Sequence, residues 1–135
     1  MLGTLACSAR EGPASTNTSS SAFATLPEKV AFLERYVTFR RHYLELEYGV
    51  FYRDNGGGLL PGPSEWDITI IARVPASELA AWHEGMKPSE TQPPELANLA
   101  SALDTRGVDT WYQALGKYVG IDRAHVLVVY RASAH

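Results

Sequence analysis

The chain has 135 residues, 45% of them hydrophobic and 20% charged, which is enough for one hydrophobic core, too little for two, and too apolar for a wholly disordered protein. Its net charge of -3 and pI near 5.8 provide no general basic surface for phosphates; the one dense basic group is Arg35, Arg40, Arg41 and His42, which argues against a nucleic-acid partner. The longest apolar run, His125 to Tyr130, has the length of a strand and falls far short of the ~20 residues that a membrane-spanning helix needs.

Residues 1–24 read as a leader. From Cys7 to Ala22 the chain is almost entirely Ser, Thr, Ala, Gly, Pro and Asn, with one Arg and one Glu. So little apolar surface cannot offset the entropy of ordering, and the composition predicts a flexible tether. Upstream, Thr4-Leu5-Ala6-Cys7-Ser8 resembles the end of a bacterial lipoprotein signal, in which a small residue precedes a cysteine that becomes lipidated and a Ser/Thr-rich linker follows. Thr4 stands where that pattern prefers Leu. The resemblance implies that Cys7 is a lipid anchor, that the protein faces the periplasm, and that Ser8 directs it to the outer membrane of a Gram-negative cell. The other reading of Cys7 is a free thiol in a disordered terminus. As the single cysteine of the chain it allows no internal disulfide.

Residues 25–135 read as one domain. Thr25 and Glu28 have the spacing of a capping box, with Pro27 in the first turn, where its missing N–H costs nothing. Leu26, Val30, Leu33 and Val37 then form one apolar stripe, and Arg40, Arg41 and His42 suit the negative end of the helix dipole. From Tyr43 the period becomes two: Leu44, Leu46, Tyr48, Val50 and Tyr52 share one face, and Glu45, Glu47, Phe51 and Arg53 the other. A glycine- and proline-rich stretch from Asp54 to Ser64 interrupts, and Trp66, Ile68, Ile70, Ala72 and Val74 resume the alternation, so a hairpin with a long connection is expected. A loop of that length favours a functional surface or simple disorder.

Pro75 and Ser77-Glu78-Leu79 open a second predicted helix, packed by Trp82 and ended by Gly85. A short helix carrying Leu96, Leu99 and Leu103 follows, then another begun by Asp109, in which Trp111, Leu115 and Tyr118 recur near helical spacing until Gly120. Val126 to Tyr130 closes the chain as a buried strand. The expected fold is α+β, a small three-stranded, mainly antiparallel sheet packed against three to four helices. Strand order is not legible.

Chemical signatures are sparse. None of the four histidines, at 42, 83, 125 and 135, lies three or four residues from another, so no local metal motif exists and no metal or cofactor is assigned. His42 reads as a helix-end cation, His83 as a helix flank, His125 as a strand start and His135 as a frayed terminus. Gly56 and Gly58 are followed by Pro61 and a strand, where a dinucleotide or phosphate loop would need a helix, and Asp54 and Asn55 are adjacent where a calcium loop alternates its ligands. Ser64, in Gly62-Pro63-Ser64-Glu65-Trp66, lacks the second glycine of a nucleophile elbow. Asp54, Glu65 and Asp67 could gather carboxylates at the hairpin mouth, although charges that flank a turn are commonly solvated.

The remaining signal is compositional: Tyr52, Arg53, Asp54, Asn55, Glu65, Trp66 and Asp67 place aromatic, arginine and acidic side chains around one loop, and Tyr, Trp and Arg dominate interface hot spots. The bland reading buries Tyr52 and Trp66 in the core and pairs Arg53 with Asp67 across the strands. The reading adopted is a non-enzymatic protein-binding module of a small envelope lipoprotein, of the immunity or inhibitor kind. The alternative is a small-ligand binder or small enzyme with a pocket between sheet and helices, lined by Trp82 or Trp111. A third reading is a homodimer formed through an exposed sheet edge, for which the last strand would serve if it lay outermost.

Overall fold

A computed structural model of the protein describes residues 15–54, 65–90 and 103–134. Among them the order is β1 (Thr16–Ser19), a 3-10 helix (Ser20–Ala22), α1 (Leu26–Leu33), β2 (Glu45–Arg53), β3 (Glu65–Arg73), a longer 3-10 helix (Ala76–His83), β4 (Lys87–Ser89), β5 (Thr110–Ala114), β6 (Lys117–Asp122) and β7 (Leu127–Ala134). All seven strands lie in one antiparallel sheet of order β1-β2-β3-β7-β6-β5-β4. The protein is therefore mostly sheet, and the expectation of a three-stranded sheet under three to four helices is corrected.

The capping box forms: the Glu28 amide donates to Thr25 Oγ1 at 3.3 Å and the Thr25 amide to Glu28 Oε1 at 3.2 Å. The helix nevertheless ends at Leu33, well before His42. Tyr36 N bonds Leu33 O at 2.8 Å, tightening the final turn, and the β-branched Val37 and Thr38 do little to prolong a helix. The basic residues consequently cap no dipole. Arg40 donates to the carbonyls of Val37 and Phe39, Arg41 reaches Ala81 O and lies over the rings of Phe39 and Trp82, and His42 binds Glu78.

The alternating segments form strands as read. Tyr48 faces Ile70, which faces Tyr130, and Leu46, Val50, Ile68 and Val128 complete an interior beneath α1 and the longer 3-10 helix, where Leu33, Tyr48 and Ile70 have no exposed surface. Trp82 is 4% exposed and fills this side. The last strand, extending to Ala134, lies between β3 and β6 rather than at an edge.

Further segments depart from their expected state. Thr16–Ser19, which composition placed in the tether, pairs with Gly49–Tyr52 of β2. An edge strand needs only backbone hydrogen bonds to a preformed neighbour, so apolar content is a poor guide to it. Ser20, 2% exposed, follows directly. Residues 110–122 form the β5–β6 hairpin, not a helix. Gly116, at φ +74°, makes the turn, and Leu115, counted in the helical stripe, is fully exposed beside it. Gly120 has a packing role: a Cβ there would come within 2.7 Å of Trp111 Cη2 and Val108 Cγ1, so only glycine lets these side chains lie on the sheet. Leu96 and Leu99 of the remaining expected helix lie outside the described residues, and Leu103 packs against the second face of the sheet with Val108 and Tyr118, around Ile71, Trp111, Leu127 and Val129.

Candidate functional site

Side-chain alternation divides the nominated residues between the two faces of the sheet. Tyr52 and Trp66 are directly opposed on β2 and β3, on the side of α1, with rings stacked at 6.4 Å, and Tyr36 packs on Tyr52 at 5.6 Å. Both are half-buried members of the aromatic packing. Arg53, Glu65 and Asp67 lie on the outer face. Arg53 is opposite Glu65 and bonds it, Nη2 to Oε1, at 2.8 Å. Asp67 accepts from Arg131 Nη2 of β7 at 2.7 Å, so the anticipated Arg53–Asp67 pair is replaced by two pairs with other partners. Asp54, at the strand end, donates its amide to Ser15 Oγ at 2.9 Å. Cys7 and Asn55 lie outside the described residues. The nominated set is thus a hairpin end, with aromatic residues on one face and ion-paired residues on the other beside half-buried Phe51.

The opposite end of the outer face holds a constellation that sequence reading did not select. Register places Glu45, Arg73, Leu127 and Asp122 in one row across β2, β3, β7 and β6. Above Leu127 opens a cleft of about 300 Å3, which His125, Leu103, Asp104 and Gly107 complete. Asp122 is 3% exposed. It accepts from the His125 amide at 3.2 Å and from His125 Nδ1 at 2.8 Å, and a Cβ on Gly107 would overlap its Oδ2, so the 103–109 segment closes over the carboxylate from the other side. Burial alone would raise the Asp122 pKa, but the hydrogen bonds from the His125 ring and amide, with one from Ala124 N, outweigh it and hold the carboxyl below its ordinary value. An ionised carboxylate accepts, so Nδ1 carries the hydrogen toward Asp122, and in the tautomer with that one ring hydrogen Nε2 is an acceptor.

The turn that carries this pair is strained. Val126 has φ +51°, a left-handed conformation that is rare for a β-branched residue and costs on the order of 1–3 kcal/mol. The hydrogen bond from Val74 N to Val126 O, at 3.2 Å, helps to hold it. On the flank, Arg106 grips Asp104 through Nε and Nη2, which depresses the Asp104 pKa to about 2. Across the cleft Arg73 Nε meets Glu45 Oε1 at 3.3 Å. The one sequence signal for the site was Asp122 three residues before His125 at a strand boundary, the spacing of an Asp that binds its own turn. Arg73, Glu45 and Gly107 carry no local signal.

Among the described residues the other histidines are engaged elsewhere: His42 with Glu78, and His83 stacked on Tyr112 at 3.8 Å; His135 lies outside the described residues. Among the described residues no three His, Cys, Asp or Glu side chains converge to hold a metal. Comparison of the chain with protein-family models, with curated proteins and with solved structures finds no match.

Proposed function

We propose that the protein is a non-enzymatic protein-binding module that presents the hairpin end of its outer sheet face to a partner, in the manner of small envelope lipoproteins of the immunity or inhibitor kind. The observation that supports this reading is the ladder at that end. Arg53–Glu65 and Asp67–Arg131 hold four charged side chains in fixed positions on three neighbouring strands, next to Phe51. The Arg53–Glu65 pair, with Arg53 exposed, contributes little to folding, about 0–1 kcal/mol, so it can be spent on recognition without loss of the fold, while the largely buried Arg131 fixes the position of Asp67. Side chains already fixed on rigid strands also lose less entropy on binding than mobile ones. The alternative of a ligand pocket between sheet and helices has less support, because that interior is filled by Leu33, Tyr48, Ile70 and Trp82. In the adopted reading Cys7 carries the lipid and the domain works at the periplasmic face of the outer membrane.

The test is affinity capture from envelope extract of the source cell, using the full chain and a variant carrying Arg53→Ala, Glu65→Ala and Asp67→Ala. One stoichiometric protein that is recovered by the parent and lost with the folded variant is the expected result. Equal recovery by both removes the hairpin end as the contact surface, and release of a Cys7→Ala chain from the membrane fraction is expected if Cys7 is the anchor.

A further inference from the structure

The cleft at the opposite end of the outer face has two unlike walls over an apolar floor. Leu127, 3% exposed, forms the floor with Leu103 beside it. One wall is the Arg73 guanidinium, bound to Glu45 through Nε and about half exposed, which leaves its terminal N–H groups as charged donors. The other is His125, whose ring is 71% exposed and is oriented by Asp122 through Nδ1, so that Nε2 is an acceptor in the Nδ1–H tautomer. Arg73 and Asp122 flank Leu127 in one row, two strand spacings apart, or about 10 Å between backbones. The volume of about 300 Å3 is at the lower end of the range for small-molecule sites.

The charges select further. Glu45, Asp104 and Asp122 against Arg73 make the lining negative by two with His125 neutral, and Arg106, bound to Asp104, lowers that excess by one. An anion would meet this field unfavourably even with Arg73 present. An uncharged carbonyl oxygen can accept from the guanidinium without the penalty, and a hydroxyl or N–H can donate to Nε2.

We propose that this cleft is a binding site for a small uncharged molecule whose carbonyl accepts from Arg73, whose apolar body lies on Leu127, and whose hydroxyl or N–H donates to His125 Nε2. The ligand is held end to end between the end of β3 and the β6–β7 turn. The strained turn at Val126 and the close approach of Gly107 serve to fix the imidazole at one end of that span.

Three probes of one shape separate the contributions: 4-hydroxybenzamide, benzamide without the hydroxyl, and 4-hydroxybenzoate with an anion in place of the amide. The full chain is titrated with each to millimolar concentration near neutral pH, with the His125 ring followed by NMR. The expected order is saturable shifts with 4-hydroxybenzamide, about tenfold weaker binding of benzamide, and weaker binding still of 4-hydroxybenzoate. Arg73→Ala should weaken 4-hydroxybenzamide about tenfold while the dispersed spectrum of the folded sheet is retained. Unchanged His125 signals with all three probes overturn the proposal, as does tighter binding of the benzoate or indifference to Arg73→Ala.

Discussion

A carboxylate buried as deeply as that of Asp122 stays charged only where its hydrogen bonds outweigh the lost water, and here the ring and amide of His125 and the amide of Ala124 supply them. Because the folded pKa lies below the ordinary aspartate value of 3.8, the native state binds fewer protons than the unfolded chain around that value. The stabilisation is complete above 3.8 and is lost as pH falls through the folded pKa. Asp122→Asn should therefore cost about 2 kcal/mol at neutral pH, the loss of charge-assisted bonds to several donors, and the gap from the parent should narrow below pH 3.8. Urea unfolding of both proteins at neutral and acid pH measures this; a gap unchanged across the range would mean that the carboxylate charge has no part in holding the turn. Little of this residue's role was legible beforehand. Asp122-x-x-His125 is a weak local signal, and its burial depends on Gly107, a contact made by folding alone.

At the scale of elements, legibility followed how local the cause was. Strands β2 and β3 could be read because period-two alternation is written along each of them, and the capping box placed the start of α1 because its partners are three residues apart. The β5–β6 hairpin was misread because Trp111, Leu115 and Tyr118 happen to fall at helical spacing, although Leu115 is a turn residue in contact with solvent. β1 was missed for a different reason: it exists by virtue of the edge of β2. Where β1 stops at Ser19, the next residue continues the work of pairing through its side chain, for Ser20 Oγ accepts from Tyr48 N at 3.0 Å and donates to Glu47 Oε1 at 2.7 Å. Glu47 also binds Lys29 of α1 at 3.2 Å, so one hydroxyl links the leader, the sheet edge and the helix. Ser20→Ala leaves the buried Tyr48 amide without its acceptor and should cost about 1–3 kcal/mol, with faster hydrogen exchange at Tyr48. Exchange at Tyr48 that stays as slow as in the parent would show that the edge is closed by something other than this hydroxyl.

At the scale of the whole molecule, the sheet of the described residues is made of two meanders, β1–β3 and β4–β7, that run toward each other and meet where β3 pairs with β7. Strand order could not be read because this central pairing joins residues some sixty positions apart, such as Ile70 and Tyr130, and nothing in either strand names its partner. The cleft was hidden for the same reason, since Arg73 reaches Leu127 and Asp122, which share the β6–β7 hairpin, only through that seam. The seam also determines whether the halves can fold separately. The interior beneath α1 draws Leu46 and Ile70 from one meander and Val119 and Val128 from the other, so neither half closes a core alone. Val128, with no exposed surface, lies at the junction opposite Ala72 and Ile121. Val128→Ala removes two buried methyl groups and should cost about 2 kcal/mol. With fluorotryptophan at the three tryptophans, Trp66 reports on one meander, Trp111 on the other and Trp82 on the packed 3-10 helix, and all three resonances should lose their native positions at one common urea concentration, shifted down equally in the variant. If Trp111 gave way in the variant while Trp66 kept the parental midpoint, the meanders would be separate folding units and the β3–β7 seam an interface between them.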